Sequence, residues 1–348
     1  MAKEQSFLRN SWYVAALSSE VSTKPLARTI TGAPIVLFRN TKNEVVALED
    51  RCAHRQAPLS LGEVVGDAIQ CGYHGFTFSS SGKCIRVPSQ ERVPPNACVR
   101  SYPIIEKQGF IHIWTGNPGL ENSYQPYNFP FAQQENMNSR YISLKGAFDY
   151  RLLIDNLMDL THLGFTHRKT IGSEGVAENG KTKTERRQNG IRIVRFMEDI
   201  EPAPTHIEVT GYSGRVDRWQ IIDFSPPCHV ELHIGNAKTG TGGIGAAAEN
   251  RLIDRRTLHV ATPETETSTH YFWVSSYSAD SMTTAQEDMI YQRTLEVLDE
   301  DIKMIEAQQL RLDPSRPFVD VNEDSGQLQT RQLISRLIQE ENNPEKSD

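Results

Sequence analysis

Several protein classes are excluded by what this sequence lacks. None of its apolar runs approaches the roughly 18 to 20 residues that a membrane-spanning helix needs, so a membrane is not expected as a partner. The stretch Met1 to Asn10 is polar and holds no apolar h-region, so no secretory signal is expected and the cytoplasm is the expected compartment. Lys and Arg form no clustered tract and the net charge is −7, which gives no sign of a nucleic-acid partner. Cysteine is scarce, with Cys52, Cys71, Cys84, Cys98 and Cys228 the five in 348 residues. An odd, sparse set argues against a disulfide scaffold, and in a reducing cytosol Cys/His clusters are more often metal sites. No internal repeat or low-complexity block is present.

The chain is long enough for one large or two medium domains. Its first part reads as short strands joined by turns. Ala33 to Arg39 and Val45 to Leu48 are apolar, β-branched runs around a polar, turn-like Asn40 to Asn43, so a hairpin is expected. Similar runs recur at Ile85 to Val87 and Phe110 to Trp114. From Gly116 to Gln134, Gly and Pro lie among Asn, Gln and Tyr, which reads as an irregular connector. A helical pattern follows over Tyr150 to Thr166. Strands are then expected at Ile191 to Phe196, Ile207 to Tyr212, Arg218 to Phe224, His229 to Ile234, Thr257 to Ala261 and His270 to Ser275. A long amphipathic helix from about Thr284 to Leu312, a last helix around Leu328 to Glu341 and a polar tail close the chain.

Two Cys-His pairs stand out. Cys52-Ala-His54 and Cys71-Gly-Tyr-His74 are separated by sixteen residues. A Rieske centre needs two cysteines on one iron and two histidines on the other, and each short pair on a loop can give one ligand to each iron. The competing readings are a zinc site of two cysteines and two histidines, and a coincidence of core residues. Zinc fingers usually present Cys-Cys and then His-His, whereas here Cys and His alternate. Cys84, Cys98 and Cys228 read as ordinary small side chains.

A second constellation lies in Asp155-Asn156-Leu-Met-Asp159-Leu-Thr-His162-Leu-Gly-Phe-Thr-His167. Asp159 and His162 are three apart and share a helical face. His162 and His167 are five apart, about 140° around an ideal helix. They converge on one ion only if the helix ends or distorts between them, and Gly164 permits that. The plain alternative is a helix whose histidines cap its C-terminal end. A two-His, one-carboxylate iron site needs a further ligand. Leu298, Val297 and Ile305 place Asp301 on the apolar stripe of the long helix, with Asp299 and Glu300 pointing away. A carboxylate facing a core is costly unless paired or metal-bound. The plain alternative is an Asp at the stripe's edge that reaches water.

These residues resemble the Rieske non-haem iron oxygenases along the whole chain. The resemblance rests on C-x-H-R and C-x-Y-H-G loops, then D-N-x-x-D-x-x-H-x-x-x-x-H, then a late Asp. The closest subgroup is similar to the vanillate O-demethylase oxygenases, with dicamba-type demethylases and toluenesulfonate methyl-monooxygenases nearby. The matching segments include Asn10 to Ala15, Leu153 to His162, Val216 to Ile221 and Thr262 to Glu266. The resemblance implies an α+β protein: a Rieske [2Fe–2S] β-domain over 1–118, then a helix-grip catalytic domain over 119–348 with an antiparallel sheet and long helices. It implies head-to-tail homotrimers and a mononuclear Fe(II) held by His162, His167 and Asp301. Asn156 and Asp159 are expected to serve catalysis, with Asp159 bridging to a Rieske histidine of a neighbouring subunit. Electrons would come from a separate NAD(P)H-dependent flavin/ferredoxin reductase. The implied reaction is O2-dependent O-demethylation or methyl hydroxylation of an aromatic acid such as a vanillate-like compound.

His233, His259, Trp219 and Trp273 sit in expected strands and are candidates for the substrate pocket. No arginine is identifiable as a carboxylate clamp. Gly240 to Gly245 matches G-x-G-x-x-G literally, but with no βαβ context it reads as a loop. The rival readings are ring hydroxylation or dihydroxylation on the same iron, and an electron carrier with an inert second domain.

Overall fold

The computed structural model describes residues 6–173, 176, 180–279 and 283–343. Half of the polar N-terminal stretch and the end of the C-terminal tail therefore lie outside the described residues.

The N-terminal part is built from ten short strands: β1 (Trp12–Leu17), β2 (Leu26–Ile30), β3 (Ala33–Arg39), β4 (Val45–Glu49), β5 (Glu63–Val65), β6 (Ala68–Gln70), β7 (Thr77–Phe78), β8 (Cys84–Arg86), β9 (Ile104–Lys107) and β10 (Phe110–Trp114). They form three antiparallel sheets, ordered β2-β3-β4, β5-β6-β7-β8 and β1-β10-β9. The expected hairpin is β3-β4, turning through Asn43 at positive φ. The two small sheets β2-β3-β4 and β5-β8 share a core of Val36, Phe38, Leu59, Ile69 and Phe78, into which Cys52 and Cys71 are also packed. By contrast, β1 and β10 belong to the main core, which continues through Leu153, Leu258 and Phe272. Thr262 Oγ1 donates to Val14 O at 2.8 Å across that junction.

After the irregular connector come β11 (Met137–Gly146), α1 (Tyr150–Met158), α2 (Leu163–Thr166), β12 (Lys181–Arg187), β13 (Gly190–Ile200), α3 (Pro204–Thr210), β14 (Val216–Ser225), β15 (His229–Lys238), β16 (Arg251–Thr265), β17 (Ser268–Ser278), α4 (Thr284–Gln309) and α5 (Ser325–Asn342). The strands make one antiparallel sheet in the order β11-β17-β16-β15-β14-β13-β12. Its long strands alternate, so every second side chain faces the helices. Helix α4 starts in a capping box between Thr283 and Gln286 and buries Ile290, Leu298, Asp301 and Ile305 on one stripe. Helix α5 is tied to α1 by Arg331, whose Nη2 donates to Asp155 Oδ2 at 2.5 Å. Among the described residues no helix is long and apolar enough to cross a membrane.

Two local expectations need correction. Ile207 to Tyr212 is not a strand. Pro204 occupies the first turn, where its missing N–H costs nothing, and Gly211 closes the helix in the left-handed region at φ 68°. The β-branched run is thereby overridden, and α3 presents Thr205, His206 and Val209 inward. The helix expected over Tyr150 to Thr166 is broken, and not at Gly164. Asp159 leaves α1 in an extended conformation (φ −95°, ψ 132°). His162 and His167 then flank the short α2, one at each end. The glycine-rich segment Gly240 to Gly245 joins two antiparallel strands through 3-10 turns, without the crossover a dinucleotide fingerprint needs.

Candidate metal centres and the cavity beside them

The two Cys-His loops are built alike. After β4, Gln56 N donates to Cys52 O at 2.9 Å; after β6, Gly75 N donates to Cys71 O at 3.0 Å. Each turn closes four residues past its cysteine, with positive φ at Gln56 (59°) and Gly75 (69°). At Gly75 an added Cβ would also meet Pro88 Cγ at 2.9 Å. The cysteines are buried and the histidines exposed. The rings of His54 and His74 lie 4.7 Å apart, and His54 stacks on Phe76 at 4.6 Å. Burial pushes the Cys52 thiol up and the adjoining Cys71 adds to this, while backbone N–H groups of His54 and Arg55 pull it down. Two thiols side by side inside, two imidazoles side by side outside, and amides aimed at sulfur fit a cluster with one iron on the two cysteines and the other on the two histidines.

The second set converges on a point between α2 and α4. His162, His167 and Asp301 bring three ligand atoms within 4.8 Å of one another. His167 Nε2 is 3.0 Å, and His162 Nε2 3.6 Å, from Asp301 Oδ1. The other ring nitrogens are each held by a carboxylate, which selects the tautomer that leaves Nε2 free to ligate. Asp159 Oδ2 lies 3.3 Å from His162 Nδ1. Glu300 Oε2 lies 2.7 Å from His167 Nδ1 and accepts from Thr170 Oγ1 at 2.9 Å. Glu300 therefore does not point away from the site, as the helical stripe suggested. Its neighbour faces the core while its own longer side chain reaches round to His167. Asn156 Nδ2 donates to Asp301 Oδ1 at 3.0 Å, and its buried Oδ1 has no partner among the described residues. Burial raises the Asp159 carboxyl, but hydrogen bonds from His162 and Thr161 outweigh that and hold it low. Burial lowers His167, but Asp301 and Glu300 outweigh it and raise it. Such an oxygen- and imidazole-rich set with open positions fits a divalent iron.

A cavity of about 130 Å³ runs from this cluster to the inner face of the sheet. An apolar hole of about 150 Å³ holds one benzene ring, so the space suits one substituted arene. Leu, Ile and Val form much of its wall, with His259 and Trp273 among the polar and aromatic groups. Of the four pocket candidates, those two line it. His233 and Trp219 do not, because alternation on β14 and β15 turns them to the other face of the sheet. There His233 Nε2 is 2.7 Å from Asp254 and the two rings meet edge to face at 6.1 Å. The same alternation turns Arg218 and Arg255 inward, onto the cavity wall. Both were missed in the sequence. The signal was their even spacing from the inward residues Gln220 and Thr257.

Residues 11–103 match the family described as Rieske [2Fe-2S] domain, and residues 147–340 match the Vanillate O-demethylase oxygenase C-terminal domain. The chain belongs to the Rieske oxygenase family. It is 37% identical over 344 residues to the iron-sulfur subunit of a toluene-4-sulfonate monooxygenase system from Comamonas testosteroni, covering 97% of this chain and 98% of that one. It is 35% identical over 339 residues to a vanillate O-demethylase oxygenase subunit from a Pseudomonas strain, covering 95% of each. Among solved structures, dicamba monooxygenase bound to 3,6-dichlorosalicylic acid superposes with a TM-score of 0.89 at 31% identity, over 96% of this chain and 98% of that one. As a Rieske oxygenase the chain has the expected α+β architecture, a Rieske β-domain followed by a catalytic domain on a large antiparallel sheet. It takes a [2Fe–2S] cluster and a mononuclear iron, and is an oxygenase component, which implies a separate reductase.

Proposed function

We propose that this Rieske oxygenase oxidises the methyl or methoxy carbon of an aromatic acid. The observation that carries the reading is a two-His, one-carboxylate set opening directly into a ring-sized apolar cavity. The names of the relatives support the substrate class: toluene-4-sulfonate, vanillate and dicamba are all arenes carrying an acid group.

In this reading Cys52, His54, Cys71 and His74 hold the cluster, within a domain of residues 1–118. His162, His167 and Asp301 hold the iron, in a domain of residues 119–348. Bound iron supplies the reductive activation of O2. The chain's own residues do the rest. Asp159 and Glu300 orient the two imidazoles, Asn156 fixes the Asp301 carboxylate, and the aliphatic walls exclude water from the ring. One oxygen atom enters a C–H bond and the other leaves as water, consuming two electrons and two protons. A hydroxylated methoxy group is a hemiacetal, which collapses to a phenol and formaldehyde.

The same proposal includes a head-to-tail homotrimer in the cytoplasm, fed by an NAD(P)H-dependent flavin/ferredoxin reductase. Asp159 and His162 line a surface cleft rimmed by exposed Met304, Phe318 and Val319. His54 and His74 sit at another exposed apolar surface, with Tyr73 and Leu61. Such surfaces favour docking of one copy's cluster loops beside another copy's Asp159.

The experiment is to supply reductase, NADH and O2 with a panel of methoxy- and methylbenzoic acids. Formaldehyde stoichiometric with phenol, or a benzylic alcohol from the methyl acids, is expected. A cis-diol as sole product would replace this reading with ring dihydroxylation on the same iron.

A further inference from the structure

The cavity wall carries two desolvated cations with no counter-ion among the described residues. Arg218, on β14, is 4% exposed; Arg255, on β16, is partly exposed and lines the cavity. Arg218 Nη1 donates to Ile171 O at 3.0 Å. Arg255 donates from Nε and Nη2 to Ser275 Oγ at 3.3 and 3.0 Å. Among the described residues neither guanidinium pairs with a carboxylate. Each has five N–H donors, so most of them are unused. Arg293, at the same cavity, is different: Glu208 and Glu296 neutralise it at 2.8 Å each.

Leaving two guanidiniums desolvated and unpaired is expensive. Both are depressed to about 10 by burial, and Arg195 depresses Arg218 further. The two act on one neighbour. His206, also on the wall, is held well below its usual range by burial first and then by both arginines. Arg255 lies four residues before His259 on the same face, roughly 13 Å along the strand. Burial dominates at His259, which also feels Asp301 with one sign and Arg255 with the other, so it stands between the metal set and the cations. Gln220, two residues from Arg218 on that face, is 3% exposed and its Oε1 has no partner among the described residues.

We infer that Arg218 and Arg255 form an anion clamp beyond His259, which takes the carboxylate or sulfonate of an arene whose methyl or methoxy carbon faces His162, His167 and Asp301. This rests on the proposed oxidation of an aromatic acid and adds the subsite that selects it. A planar guanidinium matches both oxyanions in a two-bond fork. The missing counter-charge is then the substrate itself, and the neutral walls between clamp and iron hold the ring.

The test is calorimetric binding to the oxidised holoprotein, with 4-methoxybenzoate, 4-methylbenzenesulfonate and neutral 4-methoxytoluene as probes. Both anions are expected to bind at least roughly 30-fold more tightly than the neutral arene. Arg218→Met and Arg255→Met should each weaken the anions roughly 30-fold or more, the cost of truncating one side of a buried charged pair, and leave 4-methoxytoluene unchanged. Comparing the two anions tells which oxyanion the clamp prefers. Wild-type affinity for the anions in both variants overturns the clamp, and so does an equal loss for charged and neutral probes, which marks a structural role. If the Met variants do not fold, Arg218→Lys and Arg255→Lys replace them; they keep the charge but lose the fork, so anion binding should still fall. Oxidation of neutral arenes without anion preference would reject the clamp and keep the oxygenase reading. Selective anion binding with no oxidation of any arene would do the reverse.

Discussion

Glu300 Oε2 lies 2.7 Å from Nδ1 of His167, on the residue next to Asp301, which faces Nε2 of the same ring at 3.0 Å. One turn of α4 thus grips both nitrogens of one imidazole. Glu300→Gln should weaken mononuclear iron binding by about 10- to 100-fold, because the orienting carboxylate is lost. The Rieske absorption should be untouched. Chelator competition on the purified variant measures this, and iron retention equal to the wild type would show that Glu300 acts only on the surface of α4.

Asp159 and Asp301 should separate cleanly under substitution. Asp159→Asn is expected to keep a reducible cluster but lose nearly all turnover even when its iron site is filled by added iron. Asp301→Ala should lose the mononuclear iron. Single-turnover kinetics decide the first case. Cluster reoxidation by substrate and O2 at the wild-type rate would reject a bridging role for Asp159.

Filled protein should hold about three irons per chain, two with acid-labile sulfide and one without. Cys52→Ser or Cys71→Ser should abolish the visible absorption of the cluster. Recovery of one zinc and no sulfide from anaerobically purified protein would reject the cluster assignment.

Binding of an arene carboxylate to the iron-loaded protein should be flat between pH 6 and 8. His259, pushed down to about 3 by burial, stays neutral throughout that window. His206 is likewise held neutral by burial and by both arginines. Arg218 and Arg255, at about 10, stay charged. Because the imidazoles gain no proton, affinity should not rise on acidification. A tenfold gain from pH 8 to 6 would mean that an imidazolium, not the arginines, carries the anion.

That the candidate ligands come together in two groups was legible because metal chemistry constrains residue type and spacing together. Cys52, His54, Cys71 and His74 lie on local loops, and His162 and His167 flank one short helix. Asp301 was legible from the apolar stripe of α4. What escaped depends on geometry that no local pattern encodes. The break at Asp159 replaces an expected bend at Gly164, since the backbone follows the contacts of Asp159 with Thr161 and His162. The helix α3 was hidden by its β-branched residues, with Pro204 and Gly211 as the overlooked signals. His233 and Trp219 were assigned to the wrong face because a period of two fixes faces only once the register is known. For the same reason Arg218 and Arg255 were invisible as a pair: they lie on different strands, with β15 between them.

Removing a methyl group leaves the arene's carboxylate or sulfonate untouched. A clamp on that group therefore holds the spent phenol nearly as firmly as the fresh methyl ether. Formaldehyde, small and neutral, has no such anchor and departs first. With the proposed clamp the cavity would empty only when the oxyanion leaves both guanidiniums and is rehydrated. Product escape, rather than oxidation, is then expected to set the pace of the cycle, and accumulated phenol to compete with its own precursor.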